Sequence, residues 1–206
     1  MNEEYELEKL VIKNLKIVEQ SRKLIHGTID DEFKRKLESL LAPQLEYLFP
    51  GRVNEFWLFS KECAINVFAP NWYYENDDAW CVFSVDFLEW ERYKKFLSYL
   101  AFCTNTENVT PGIFFESNKK FREKFGLDWG DEMGKLYAKK KKLETVGFML
   151  KNNRLYRPFQ LEPAKISVDW PNLTTDSIKP LLDAFKSVHE VMDIFDVLVK
   201  RLTGKK

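Results

Sequence analysis

Acidic side chains gather in a polar segment near the middle of the chain, and they are residue types from which a divalent-cation site could be built. Glu75, Asp77 and Asp78 lie within one short stretch, and Asp86 and Glu89 follow soon after. Carboxylate oxygens are preferred Mg²⁺ ligands, and bound Mg²⁺ supports phosphodiester cleavage. The alternative interpretation is a solvated loop, so the sequence leaves open whether residues 75–78 bind a metal.

The general order of helices and mixed strands is similar to that of PD-(D/E)XK nucleases. That family requires an acidic residue followed on the next strand by (D/E)-x-K, whose lysine lies close to the metal-bound water. No such motif follows Asp77, Asp78 or Asp86, and Lys61-Glu62 has the reverse order. The resemblance implies at most a relative of that fold without its active site, and we assign no metal ligands and no catalytic residues.

Other catalytic residue types are scarce. His26 and His189 are the two histidines, and neither has the spacing of a metal or catalytic motif. No glycine-rich phosphate loop and no G-x-S-x-G nucleophile elbow occurs. Cys63, Cys81 and Cys103 form no C-x-x-C pair, and the first two are interpreted as small buried hydrophobic residues. The sequence therefore predicts no cofactor and favours a protein that is not an enzyme.

Basic side chains concentrate in another part of the chain. Residues 119–160 carry twelve basic and five acidic groups, whereas residues 53–91 carry eight acidic groups and one lysine. A basic surface patch could contact nucleic-acid phosphates with strong salt dependence. The candidate phosphate-binding residues are Lys119, Lys120, Arg122, Lys135, Lys139, Lys140, Lys141 and Lys142. The simpler interpretation is a solvated helix end, where lysines complement the helix dipole.

Aromatic residues beside the acidic loop could bind a partner. Trp72, Tyr73 and Tyr74 are consecutive and precede the polar residues 75–78. Such side chains can stack on bases or line a pocket for another protein. The simpler interpretation is that they belong to the hydrophobic core.

A regular apolar pattern near the C-terminus offers a second partner-binding candidate. Apolar residues from Ile178 to Leu202 follow a 3-4-3-4-3-4-3 spacing, which is typical of a helical seam. Val188, Met192 and Phe195 in this seam could contact a partner helix or a second copy. Alternatively, the helix packs across its own domain.

The elements that position these residues follow from hydrophobic periodicity. Residues 3–25 predict an amphipathic helix that ends at a left-handed Gly27, and a second helix precedes a break or kink at Pro43. Residues 53–59, 63–68 and 80–87 predict three antiparallel strands, the last with period-two alternation.

Further strands are predicted beyond residue 110. Asn152-Asn153 predicts the turn of a hairpin, and Pro158 marks its second strand as an edge strand. Residues 164–170 predict another strand. Ser177 is the expected cap of the C-terminal helix.

Composition limits the class of protein. The 206 residues are 45% hydrophobic and 31% charged with zero net charge, which is typical of a globular chain and not of a disordered one. No apolar run approaches about 18 residues and no signal peptide is evident, so we expect a cytoplasmic protein without membrane contact.

We therefore expect an α+β fold in a single domain over residues 1–206, with a mixed or antiparallel sheet flanked by helices. Its parts are a helical region 1–50, a sheet-rich centre 53–170 and a long C-terminal helix 177–203. The predicted function is a non-enzymatic, soluble binding or regulatory protein that contacts a protein partner or self-associates. The alternative is a nucleic-acid-associated protein with a nuclease-like fold that could be catalytically inactive.

Overall fold

The computed structural model describes residues 3–50, 53–57, 64–68, 72, 79–88, 99–104 and 110–204. The helices in these ranges are α1 (Glu3–Lys13), α2 (Leu15–Leu24), α3 (Asp30–Leu48), α4 (Tyr99–Cys103), α5 (Lys119–Phe125), α6 (Trp129–Lys139), α7 (Lys141–Thr145), α8 (Pro163–Asp169), α9 (Lys179–Glu190) and α10 (Met192–Thr203). The strands are β1 (Val53–Trp57), β2 (Ala64–Phe68), β3 (Cys81–Phe87), β4 (Pro111–Ser117), β5 (Met149–Lys151) and β6 (Arg154–Pro158). The predicted α+β class is confirmed.

The six strands form one antiparallel sheet in the order β1-β2-β3-β4-β6-β5. The three predicted central strands pair as expected, and the alternation in β3 is confirmed, because Cys81, Phe83 and Val85 are buried while the residues between them are half-buried. Burial raises the pKa of the Cys81 thiol, since a thiolate would be poorly solvated there.

The predicted end of the first helix at Gly27 is wrong. Gly27 has no positive φ, and a π-helical turn over Ile25–Ile29 joins α2 to α3. The reason lies at Asp30, which is buried and accepts a hydrogen bond from the backbone N–H of Leu100 at 2.9 Å. Its carboxylate also pairs with Lys34 of the same helix at 3.2 Å, so the start of α3 is held by one tertiary and one local contact.

The helix does not end at Pro43, since α3 continues to Leu48. Pro43 lies on the exposed face of α3. Because proline has no N–H, the carbonyl four residues earlier lacks its intrahelical donor, and water can hydrogen-bond to it there instead.

The predicted hairpin is confirmed, since Asn152 and Asn153 adopt φ of 52° and 59° between β5 and β6. The prediction that β6 is an edge strand is wrong, because β6 lies between β4 and β5. Its pairing with β5 ends at Tyr156, however. Pro158 therefore pairs only with Gly112 of β4, and no residue of β5 lies opposite to require the N–H that proline lacks.

The predicted strand over residues 164–170 is also wrong, because α8 occupies this segment. Pro163 stands in the first turn of α8, where its fixed φ favours a helix and its missing N–H costs nothing. Ile166 faces the core, whereas Val168 is 81% exposed. The alternation of apolar residues over 164–170 therefore does not correspond to an alternation of buried and exposed side chains.

The C-terminal helical segment is present, but Val191 interrupts it between α9 and α10 with φ −122° and ψ 10°. Ser177 does not cap α9; its hydroxyl donates to Asp169 at 2.6 Å and accepts from the Thr174 N–H at 2.9 Å. The seam faces the sheet. The Phe195 ring lies 4.8 Å from Phe83 and 4.5 Å from Phe115, so α10 closes the hydrophobic core.

Candidate protein-binding surface

The structure places Trp72, one of the predicted aromatic candidates, in the core rather than on the surface that binding would require. Trp72 has no exposed surface, and its ring lies 6.0 Å from Phe83 and 5.5 Å from Phe115. Tyr73 and Tyr74 lie outside the described residues.

The three seam candidates are also in the core. Val188 and Phe195 are fully buried, and Met192 is 4% exposed. Their side chains pack within the chain and leave no surface for a partner, which agrees with a helix that packs across its own domain.

The sequence offered five acidic residues as possible Mg²⁺ ligands, and only one of them, Asp86, lies in the described part of the chain. Glu75, Asp77, Asp78 and Glu89 lie outside it. Asp86 lies in β3, where its carboxylate accepts a hydrogen bond from Arg154 at 2.6 Å. Within the described ranges, His, Cys, Asp and Glu residues form no group of three or more that could hold a metal ion.

Arg154 organises a polar cluster that includes Asp86. Its Nε donates to Glu116 at 2.8 Å, and its guanidinium lies 4.0 Å from the centre of the Phe114 ring. Burial raises the pKa of Glu116, although Arg154 partly opposes that rise. Burial lowers the pKa of Arg154, but Glu116 and Asp86 together outweigh it and raise the pKa. The carboxylate oxygens are thus occupied by a guanidinium rather than directed toward a ligand.

Several candidate phosphate-binding residues are engaged by protein groups. Lys119 pairs with Glu123 at 3.6 Å, and Lys141 pairs with Glu144 at 3.8 Å. Arg122 donates to the carbonyl of Ser117 at 2.6 Å, and Lys142 donates to that of Glu190 at 2.6 Å. Lys120 is exposed in the first turn of α5.

The remaining candidates meet at a small groove between α6 and α10. Lys135, Lys139 and Lys140 line it together with Arg201, which sequence reasoning missed, and its volume is about 110 Å³. Lys135 pairs with Asp131 at 3.1 Å, and Arg201 pairs with Glu132 at 2.6 Å. Among the described residues, Lys139 and Lys140 form no ion pair, so they are the least neutralised members of the basic patch.

A different surface stands out in the structure: the apolar face of α1 and α2. Within the described part of the chain, seven of the eleven exposed large hydrophobic side chains lie between residues 10 and 25. They are Leu10, Val11, Ile12, Leu15, Ile17, Leu24 and Ile25. None of the described side chains from Glu8 to Ile25 is buried. We call this set the N-terminal apolar face.

The sequence explains why these residues form a helix without a core beneath them. Glu and Lys fill the positions between the apolar residues, and Lys9 pairs with Glu6 at 3.0 Å, one helical turn away. The signal in the sequence is the seven-residue spacing of Leu10, Ile17 and Leu24, which predicts an amphipathic helix but not what covers its apolar face. Apolar side chains that are exposed together can form an interaction surface.

No helix in the described ranges is both long and apolar enough to cross a membrane. No family model matches the chain, and neither curated proteins nor solved structures give a match.

Proposed function

We propose that this chain is a non-enzymatic binding protein that acts through protein–protein contacts, with the N-terminal apolar face as its docking surface. The partner to which we commit is a second copy of the chain, whose α1 and α2 lie antiparallel to those of the first. The supporting observation is the exposure of Leu10 (57%), Ile17 (62%) and Leu24 (51%), which stand seven residues apart. Burying such side chains against a partner would remove apolar area from water, at roughly 25 cal/mol per Å².

The seven-residue repeat favours another helix as the occupant. Val11, Val18 and Ile25 follow the same interval beside Leu10, Ile17 and Leu24, so the apolar positions keep one seven-residue register across Asn14, which separates α1 from α2. A strict seven-residue repeat fits left-handed packing of one helix on another. Asn14 interrupts this face, and a polar residue within a seam restricts the register and number of helices.

The distribution of charge supports the antiparallel arrangement. Four acidic residues occupy the beginning of α1, and five basic residues with one acidic residue follow over positions 9–23. The acidic residues are Glu3, Glu4, Glu6 and Glu8, and the basic residues are Lys9, Lys13, Lys16, Arg22 and Lys23. Antiparallel pairing sets the acidic end of each copy against the basic end of the other, whereas parallel pairing sets like charges together.

Light scattering on the full chain tests the proposal. Wild type is expected to show the mass of a dimer, and Ile17→Lys is expected to weaken the dimer at least about tenfold because a charge replaces a buried apolar group. Val197→Lys is the matched control, since Val197 is 64% exposed on α10 and lines a groove with α6, whereas α8 lines a pocket together with Ile25. A wild-type monomer at every concentration, or an Ile17→Lys mass equal to that of wild type, would overturn the proposal.

Charge reversal tests the orientation. Glu6→Lys with Glu8→Lys should weaken an antiparallel dimer, because the new lysines meet Arg22 and Lys23 of the other copy. Adding Arg22→Glu and Lys23→Glu to the same chain should restore it. A parallel dimer would be indifferent to the first pair of changes, since like charges already face each other in it.

A second candidate function is association with nucleic acid, as a protein with a nuclease-like fold that could be inactive. It is supported by Lys139 and Lys140, which are exposed and have no ion pair among the described residues. The carboxylates of Asp131, Glu132 and Glu144 reduce the positive field around them. Titration of labelled DNA and RNA at two salt concentrations tests it: binding that falls with salt and weakens in Lys139→Gln/Lys140→Gln supports it, and an absence of binding at low salt rejects it.

A further inference from the structure

A second concave site lies on a different part of the molecule, between the end of β6, the start of α8 and the start of α9. Its volume is about 530 Å³, and Arg157, Glu162, Lys165, Asp176 and Lys179 are among its lining residues. A volume of this size accommodates a small molecule. We refer to it as the Arg157 cleft.

The guanidinium of Arg157 is held in place from several sides. Its Nε donates to the Ser187 hydroxyl at 3.2 Å, and its Nη1 donates to the carbonyl of Pro158 at 2.7 Å. It also packs against Gly147, where an added Cβ would lie 3.0 Å from Cζ of Arg157. Gly147 has a φ of +87°, so this close approach depends on a residue without a side chain.

Although it is held firmly, this cation is not neutralised. Among the described residues, Arg157 has no ion pair, and its hydrogen bonds to Ser187 and Pro158 go to neutral oxygens. Burial lowers the pKa of Arg157, and the charge of Asp183 offsets only part of this effect. A half-buried guanidinium with unused N–H groups is suited to a carboxylate or phosphate, which it can bind through paired hydrogen bonds.

The other charges of the cleft divide into paired and unpaired groups. Lys165 pairs with Asp169 at 3.2 Å, and Lys179 pairs with Asp183 at 2.5 Å. Glu162 and Asp176 are exposed and form no ion pair with any described residue. The charge of Asp176 acts through space on the Lys179 ammonium, and the two residues are otherwise joined by a backbone hydrogen bond from the Lys179 N–H to the Asp176 carbonyl. The groups left for a ligand are therefore one guanidinium and two carboxylates.

Asp176 and Arg157 are well separated within the cleft. Asp176 precedes the first turn of α9, and Ser187, which holds Arg157, lies eight residues after Lys179 on the same helix. At 1.5 Å per residue this corresponds to about 12 Å along the helix axis. A ligand that satisfies both ends must carry its own anionic and cationic groups several bonds apart.

We infer that the Arg157 cleft binds a small zwitterion, with an oxyanion group on Arg157 and an ammonium group near Glu162 and Asp176. This site is separate from the N-terminal apolar face. The dimer-weakening variant Ile17→Lys should therefore bind the same ligands as wild type, so that failure of one proposal does not imply failure of the other.

Three matched probes test the charge requirement by isothermal titration calorimetry on the full chain: 6-aminohexanoate, hexanoate and hexylamine. The zwitterion should bind at least about tenfold more tightly than either single-charge probe, because each charge-assisted contact is worth roughly a factor of ten. Equal affinities for the three probes, or no detectable binding of any, would overturn the inference.

Substitutions in the cleft test which residues bind the oxyanion group and which bind the ammonium group of the ligand. Arg157→Gln should weaken 6-aminohexanoate and hexanoate and leave hexylamine unchanged, whereas Arg35→Gln, on the exposed surface of α3, should change nothing. Glu162→Gln with Asp176→Asn should weaken 6-aminohexanoate and hexylamine but not hexanoate. These two exposed positions can be changed without disturbing the core, so the test remains decisive even if Arg157→Gln folds poorly. Unchanged affinities in either variant would contradict the assignment.

Discussion

The guanidinium of Arg154 on β6 lies 2.6 Å from the carboxylate of Asp86 on β3, although β4 runs between these two strands. The side chain crosses β4 above Phe114 and also bonds Glu116. The Phe114 ring in turn stacks on Tyr156, with ring centres 4.8 Å apart. One arginine therefore joins three strands through charge and aromatic contact.

We expect Arg154→Met to lower the free energy of unfolding by about 2 kcal/mol, because two largely buried carboxylates lose their charged hydrogen-bond partner. Chemical denaturation measures the change. Arg35→Met is the control, since Arg35 pairs with Glu32 on an exposed helix surface and should cost less than about 1 kcal/mol. An equal loss in the two variants would show that the Arg154 cluster is no more important than a surface ion pair.

Glu116 should give stability a measurable pH dependence. Its pKa is raised above the ordinary 4.5 by burial, so the folded chain holds this proton more tightly than the unfolded chain. The contribution of Glu116 is thus fully present below the unfolded pKa and is lost as pH rises through the folded pKa. We expect the stability of wild type relative to Glu116→Gln to fall as pH rises above the ordinary pKa of 4.5. A difference that stays constant or grows with pH would contradict the raised pKa.

Replacing either of two glycines with alanine should change the stability of the chain, but in opposite directions. Gly147→Ala should destabilise the chain by about 1–2 kcal/mol, because its φ of +87° is unfavourable for alanine and the new Cβ would press on Arg157. Gly134→Ala, inside α6 with nothing within 4 Å of the new Cβ, should stabilise by about 0.5–1 kcal/mol. Thermal denaturation of both variants checks the signs, and the same sign in both would contradict the assigned backbone conformations.

Phe195 should behave as a core residue and not as a partner anchor. Its ring lies 4.5–5.7 Å from Phe83, Phe115 and Phe148. Phe195→Ala should lower the free energy of unfolding by about 3–5 kcal/mol through the cavity it leaves. Val197→Ala, two residues along α10 and 64% exposed, should change it by less than about 0.5 kcal/mol. A mild effect at Phe195 would mean that the seam is not packed in this way.

Local sequence patterns predicted the elements whose cause is local. The alternation in β3 and the two asparagines of the hairpin need only a few neighbouring residues, and both are confirmed. The strand predicted at residues 164–170 failed because Ile166 and Val168 alternate by chance, while Pro163 already favoured a helix. The Gly27 prediction failed because Asp30 is fixed by Leu100, seventy residues away.

The sites depend still more on distant contacts. The heptad spacing in α1 and α2 was visible in the sequence, but only the structure shows that its residues are exposed while Val188 and Phe195 are buried. The Arg157 cleft had no sequence signal, because Arg157 and Ser187 are thirty residues apart. Periodicity indicates which residues share a helix face, but not what covers that face.

Backbone amide hydrogen exchange over residues 7–25, measured at increasing chain concentration, tests the central claim most directly. Isolated helices of this length are marginally stable in water, so association should slow their exchange. We predict that protection in residues 7–25 rises with concentration in wild type and does not rise in Ile17→Lys, while residues 179–203 remain equally protected in both. Exchange in residues 7–25 that is the same at every concentration would contradict self-association through the N-terminal apolar face.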